Sequence, residues 1–181
     1  MDVLEKLRHI YADIREVNRG SVEHRGKDLE EIRAAFESMS VSPPPALVTL
    51  YTCFDGIDYV DGLLTFLPLS RAADIYRGYQ SFKKDWPDFD WQPEWFPVLD
   101  MNADVTICID TGTNAVVAID LEDSRCICKG RDFEKYVDVL FEAFSAKKYS
   151  YDSVSGSIEF EPEYWRTLAS RHDIIGIHEI W

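Results

Sequence analysis

Positive charge is scarce in this sequence: 19 lysines and arginines stand against 33 aspartates and glutamates, a formal net charge of -14. A chain this acidic repels phosphate backbones, so no nucleic-acid partner is expected. An anionic membrane surface is disfavoured for the same reason. A basic protein, in contrast, would be attracted and steered by the same field. Long apolar runs are missing too; none approaches the ~18–20 residues that span a bilayer, so no membrane partner is expected. The first residues, Met1-Asp2-Val3-Leu4-Glu5-Lys6, are charged and carry no secretory h-region. With only 4 cysteines and no secretory start, the expectation is a reducing, cytoplasmic location without a disulfide framework.

The motifs of common chemistries are absent. There is no G-x-x-x-x-G-K-[ST] phosphate loop, no H-E-x-x-H, no G-x-S-x-G and no paired C-x-x-C. Neither a cofactor nor a metal is expected, and the reading is of a protein that binds rather than catalyses.

What is present is material for a core: 46% of residues are hydrophobic and 13% aromatic, which excludes a disordered chain. The 181 residues fit one domain, 1–181, with an N-terminal helix over 1–18 and a less regular tail over 149–181. Val3, Leu7, Ile10, Ile14 and Val17 draw one apolar stripe along that first helix. Asp28 and Glu31 have the spacing of a capping box for a second helix. Ser42-Pro43-Pro44-Pro45 leads into a third, with Gly56 placed to end it. Asp55-Gly56-Ile57-Asp58 reads as a turn, and Leu63 to Leu69 as a short buried strand. Ser70 is expected to cap a fourth helix carrying Ala73, Ile75, Tyr76 and Tyr79. The proline-rich stretch from Asp85 to Pro97 is incompatible with regular helix or central strand and reads as an ordered loop pinned by its aromatics.

From Val98 the period changes to two. Val105, Ile107 and Ile109 alternate with Thr106, Cys108 and Asp110, the signature of a half-buried strand. Thr111-Gly112-Thr113-Asn114 turns it into Ala115 to Ile119, and a third strand follows over Arg125 to Cys128. Connections this short require an antiparallel meander. Asp132 is placed to cap a helix over Phe133 to Phe144. The tail predicts a helix over Glu161 to Arg171 and a strand over Ile174 to Trp181, either completing the sheet or pairing with a second copy; monomer and homodimer both remain open. The fold class is α+β, a largely antiparallel sheet packed by several helices.

Several constellations invite a chemical reading. Cys126 and Cys128 at i and i+2 would share a strand face and could meet one ion, with His172 or His178 folding back to complete a zinc site. Two small buried residues in a sheet explain the pair better. His9 and His24 share no spacing with the other histidines. Asp104, Asp110 and Asp120 offer carboxylates, and Asp110 and Asp120 flank a hairpin, but aspartate at strand ends is ordinary turn chemistry. The sharpest feature is the stretch carrying Trp86, Trp91 and Trp95 among Asp85, Asp88, Asp90 and Glu94, with no basic residue from Asp85 to Pro97. Aromatics beside carboxylates suit a protein interface. The expected partner-binding residues are Asp58, Asp61, Asp85, Asp88, Asp90 and Glu94, with Trp91 as anchor.

In order and spacing these pieces resemble the SMI1/KNR4 (SUKH) superfamily. The proline-led helix ending in Asp55-Gly56 resembles its early segment, and Leu64-Thr65-Phe66-Leu67-Pro68-Leu69-Ser70 its following strand. Trp95-Phe96-Pro97-Val98 is similar to its "W-x-P-[IV]" element, the two strands over 105–120 to its central hairpin, and Phe133 to Phe144 to its closing helix. The resemblance covers roughly Leu29 to Phe144 and departs in the tryptophan–aspartate insert and the tail. It implies an α+β fold without shared catalytic residues. It also implies a protein-binding role, either as an immunity protein neutralising a cognate nuclease-type toxin or as a housekeeping regulatory or scaffold module of the cell-wall-related kind.

Overall fold

The computed structural model describes residues 1–18, 24–61, 64–101, 104–122, 125–154 and 157–175, and the fold is α+β. Asp2 opens the first helix, α1 (Val3–Val17), with a capping box to Glu5, and Asp28 does the same with Glu31 for α2 (Leu29–Ser38). Each box satisfies two backbone donors that the first turn leaves without partners. Pro45 starts α3 (Pro45–Cys53). Gly56 does adopt positive φ, 103°, but it lies past the helix end, where Phe54 is already extended.

The residues read as a turn after α3 instead begin a strand, β1 (Ile57–Asp61), paired antiparallel with β2 (Leu64–Phe66). Leu63, expected to start the second of these, lies outside the described residues. The next helix, α4 (Leu69–Asp85), is not capped by Ser70. Its first amide, from Leu69, donates to Asp55 Oδ1 at 2.7 Å, and Lys27 Nζ sits 3.3 Å from the other oxygen of the same carboxylate. The cap is therefore tertiary, supplied from 14 residues upstream, and no local spacing announces it.

Four further strands follow: β3 (Trp95–Met101), β4 (Val105–Asp110), β5 (Val116–Asp120) and β6 (Arg125–Gly130). They join β1 and β2 in one six-stranded sheet whose spatial order is the chain order, every pairing antiparallel. The expected meander is present as β4, β5 and β6, and β1, β2 and β3 extend it on its N-terminal side. Pro97 is a correction: it stands inside β3, a central strand. The strand tolerates it because the register of β3 against β4 shifts between Pro97 and Leu99, and a bulge is where a residue without an N–H fits a ladder.

Both faces of β4 and β5 are buried, which corrects the half-buried reading of β4. Val105, Ile107 and Ile109 line one face, paired with Asp120, Ala118 and Val116. Thr106 and Cys108, read as the polar alternation, are as inaccessible as their neighbours. Tyr79 of α4 covers them, sharing a 2.6 Å hydrogen bond between its hydroxyl and Thr106 Oγ1. Buried hydroxyls cost little when paired in this way.

The last helices complete the core. Asp132 caps α5 (Phe133–Ser145), whose apolar residues are buried along its whole length. It lies against β6, and α1 and α6 (Pro162–Arg171) pack on it. Between α5 and α6 a two-stranded sheet, β7 (Tyr149–Tyr151) with β8 (Ile158–Phe160), lies beside β1. Its Phe160 stacks on Trp165 with ring centroids 5.0 Å apart. Of the expected C-terminal strand, only its first two residues are described. Ile174 is buried over Gly130, where any Cβ would come within 2.3 Å of it, and the Ile175 amide donates to the Lys129 carbonyl of β6. Residues 176–181 lie outside the described residues.

Replacing Asp55 with alanine is expected to destabilise the protein by about 1 kcal/mol, as the loss of an N-cap does. That corresponds to a fall in Tm of about 2–4 °C for a chain of this size. Ser70→Ala should stay within about 0.5 kcal/mol of the parent in urea titrations. Equal effects would refute the assignment of the cap.

Candidate protein-binding site

Residues 86–94 join α4 to β3 and cross from the end of that helix to the far edge of the sheet. Four carbonyls hold the crossing. Lys83 Nζ donates to the Phe89 carbonyl, and the Cys126 thiol on β6 to that of Asp90 at 2.6 Å. The Tyr76 hydroxyl donates to the Pro93 carbonyl at 2.8 Å, and the Thr111 amide to that of Glu94 at 2.8 Å. Phe89 and Trp91 plug the segment inward, each 2% exposed. Trp91 meets Tyr76 edge-on at 5.4 Å and Tyr79 at 6.4 Å. The expected ordered loop is therefore present.

This placement sorts the expected site residues. Asp85, Asp88, Asp90 and Glu94 are all exposed on one short segment. Against these four carboxylates stand two nearby cations, Lys83 and Lys84, which also sit favourably at the negative end of the α4 dipole. Trp91 does not serve as an anchor, because its indole is part of the core. The backbones of Asp58 and Asp61 belong to β1, five strands from β6, where Asp90 is tethered. At about 4.8 Å per strand the two are roughly 24 Å apart across the sheet, so they do not form one patch. The side chains of Asp58 and Asp61 lie outside the described residues.

The exposed aromatic pair is Trp86, 52% accessible, and Phe82, 42% accessible, their rings tilted at 55° with centroids 5.5 Å apart. Trp86 is named in the sequence reading but not among its site residues, and Phe82 is not named at all, yet a signal exists. Besides its buried stripe of Leu69, Ala72, Ala73 and Tyr76, α4 carries a second one, Ile75, Tyr79, Phe82 and Trp86, at i, i+4, i+7 and i+11. Ile75, Tyr79 and Phe82 of this stripe line a groove of about 380 Å³ between α4 and the sheet, closed on the other side by Leu121 and Asp100. Gly78 forms part of its wall, and a Cβ built there would meet nothing within 4 Å. Glycine inside a helix costs about 1 kcal/mol relative to alanine, and here no packing contact requires it.

The other constellations do not assemble. Asp110 accepts from the Gly112 and Thr113 amides in its own turn, and Asp120 from the Glu122 amide. Asp120 pairs with Val105, at the opposite end of β4 from Asp110, about 17 Å along the strand. The two carboxylates therefore do not converge, and Asp120 is only 2% exposed. Among the described residues no cluster of histidine, cysteine, aspartate or glutamate could hold a metal ion. Burial first, and then the Asp90 carboxylate through its charge and a side-chain hydrogen bond, push the Cys126 thiol up to about 12. It is a protonated thiol at neutral pH, unsuited to bind metal or attack an electrophile. The side chain of Cys128 lies outside the described residues, as does His178. His172 bonds Glu142 Oε1 at 2.8 Å, and His9 is an exposed neighbour of Asp13. No described helix is long and apolar enough to cross a membrane.

Urea unfolding should separate the two tryptophans: Trp91→Ala is expected to cost about 3–5 kcal/mol as a core truncation. Trp86→Ala should cost about 0.5 kcal/mol. The reverse order would contradict the assignment of core and surface. Cys126 should react with iodoacetamide at pH 8 about tenfold or more slowly in the folded than in the unfolded chain. Because its pKa is raised on folding, its contribution to stability is intact below pH 9 and declines as pH climbs towards 12. Equal alkylation rates in the two states would remove this constraint on Cys126. No family model matches the chain, and a search of curated proteins finds no match.

Proposed function

We propose that this chain is a cytoplasmic, non-catalytic protein-binding domain of the SUKH type, an immunity protein that neutralises a basic, nuclease-type toxin domain. One observation carries the reading: a segment pinned through four of its carbonyls presents Asp85, Asp88, Asp90 and Glu94 to solvent beside the exposed pair Trp86 and Phe82. Interfaces depend on a few aromatic anchors, with charge selecting the partner. A segment already ordered in the free protein loses less entropy on docking. The rest of the surface acts in the same sense, since a net charge of -14 attracts a cationic partner from a distance. A nuclease carries a cationic cleft for its phosphate substrate, and fixed carboxylates compete for such a cleft without offering a bond to cleave.

The test joins capture to inhibition. Tagged protein is used to recover partners from its source cells at low salt, and the recovered protein is assayed for nucleic-acid cleavage. The expected result is one basic nuclease, silenced by an equimolar amount of the chain. The combined change Asp85→Asn, Asp88→Asn and Asp90→Asn should weaken the inhibition about tenfold or more with Tm unchanged. Recovery of host regulatory proteins alone would favour the scaffold reading, and a nuclease left active would overturn the proposal.

A further inference from the structure

We infer that the groove between α4 and the sheet is the seat for one apolar side chain of a partner segment bearing lysine or arginine towards the Phe82–Trp86 end. This deepens the protein-binding reading and rests on it. The first argument is Gly78. No neighbour lies within 4 Å of where its Cβ would be, so packing leaves room for alanine, which the helix would prefer. What the missing side chain does provide is depth in the groove wall, between Ile75 and Phe82. A locally unfavourable residue with no structural need is the kind of inconsistency expected at a functional site.

The second argument is shape. From Arg71 to Phe82 the groove follows eleven residues of helix, about 16 Å. That length matches about five residues of extended chain. The third is charge. Asp85 and Asp88 are exposed beside the Phe82–Trp86 end, where Lys84 is exposed and Lys83 is held by the Phe89 carbonyl; Asp100 lies in the sheet-side wall, and Asp104 and Glu122 are exposed next to Leu121. Arg71 is the one cation among the lining residues, at the far end from Trp86. The walls are otherwise apolar, formed by Ile75, Tyr79, Phe82 and Leu121. An apolar residue at Gly78 with cations reaching Asp85 and Asp88 satisfies both the walls and the rim.

A capped hexapeptide, two leucines between pairs of lysines, serves as the probe in amide chemical-shift titrations of the full chain. A second hexapeptide with glutamates for the lysines is the control. The expected result is saturable shifts at Gly78, Leu121 and the Trp86 indole with the lysine peptide, and none with the glutamate peptide. Gly78→Leu should weaken binding about tenfold or more while raising Tm by about 2–4 °C. Gly78→Ala, with its smaller side chain, should do the same in lesser degree and covers the case in which leucine perturbs the fold. Shifts elsewhere on the surface, no shifts at all, or unchanged affinity in a folded Gly78 variant would overturn the inference. The titration involves no toxin, so failure to find a basic nuclease leaves it standing. Neutralisation that survives Gly78→Leu would remove the groove and leave the proposed function.

Discussion

Water is excluded from both faces of β4 and β5, and the rest of the structure depends on how the second face is closed. Thr106 and Cys108 would be solvated on an ordinary meander; here both are buried, Tyr79 is bonded to Thr106, and Phe89 and Trp91 pack against the Tyr79 ring. Tyr79 gives the buried Thr106 hydroxyl its partner, and burial pushes the Tyr79 phenol itself far above its ordinary range. To hold those rings in place the chain must leave α4, cross to β6 and return to β3. The hydrogen bonds from Lys83, Tyr76, Cys126 and Thr111 are the means by which it does so. The outward side chains of that crossing are then fixed without further cost, which is how a structural necessity yields a preordered acidic surface.

Elements whose signals are local were legible in the sequence. The capping box of α2, the proline start of α3, the Asp132 cap and the hairpin of β4 and β5 all rest on residues within a few positions of one another; the Asp2–Glu5 box of α1 has the same spacing and was not read. What could not be read depends on distant partners. Asp55 caps α4 from across a strand pair, Pro97 sits in a central strand because a register shift excuses its missing N–H, and Thr106 is buried because another element supplies a lid. At the candidate site the four carboxylates were legible as a cluster. The choice of Trp91 over Trp86 failed because spacing alone does not say which of three nearby tryptophans the core takes. The second stripe of α4, ending in Phe82 and Trp86, carried that information in its periodicity.

The chain's acidity gains meaning only from this geometry. A charge of -14 spread evenly would serve solubility alone. Here four carboxylates occupy one short segment held by hydrogen bonds, next to the exposed ring pair of Trp86 and Phe82, whereas Asp58 and Asp61 lie on a strand at the other side of the sheet. The division suits the proposed partner, which would meet aromatic surface and carboxylates together, with the remaining charge acting at longer range.

The central claim is that fixed acidic charge guides a basic protein onto this face, and stopped-flow association with the captured partner over a range of salt tests it most directly. Steering between opposite charges predicts an association rate that falls about tenfold or more as added salt shortens the screening length from about 30 Å to a few ångströms, with the dissociation rate changing much less. An association rate indifferent to salt would contradict the claim.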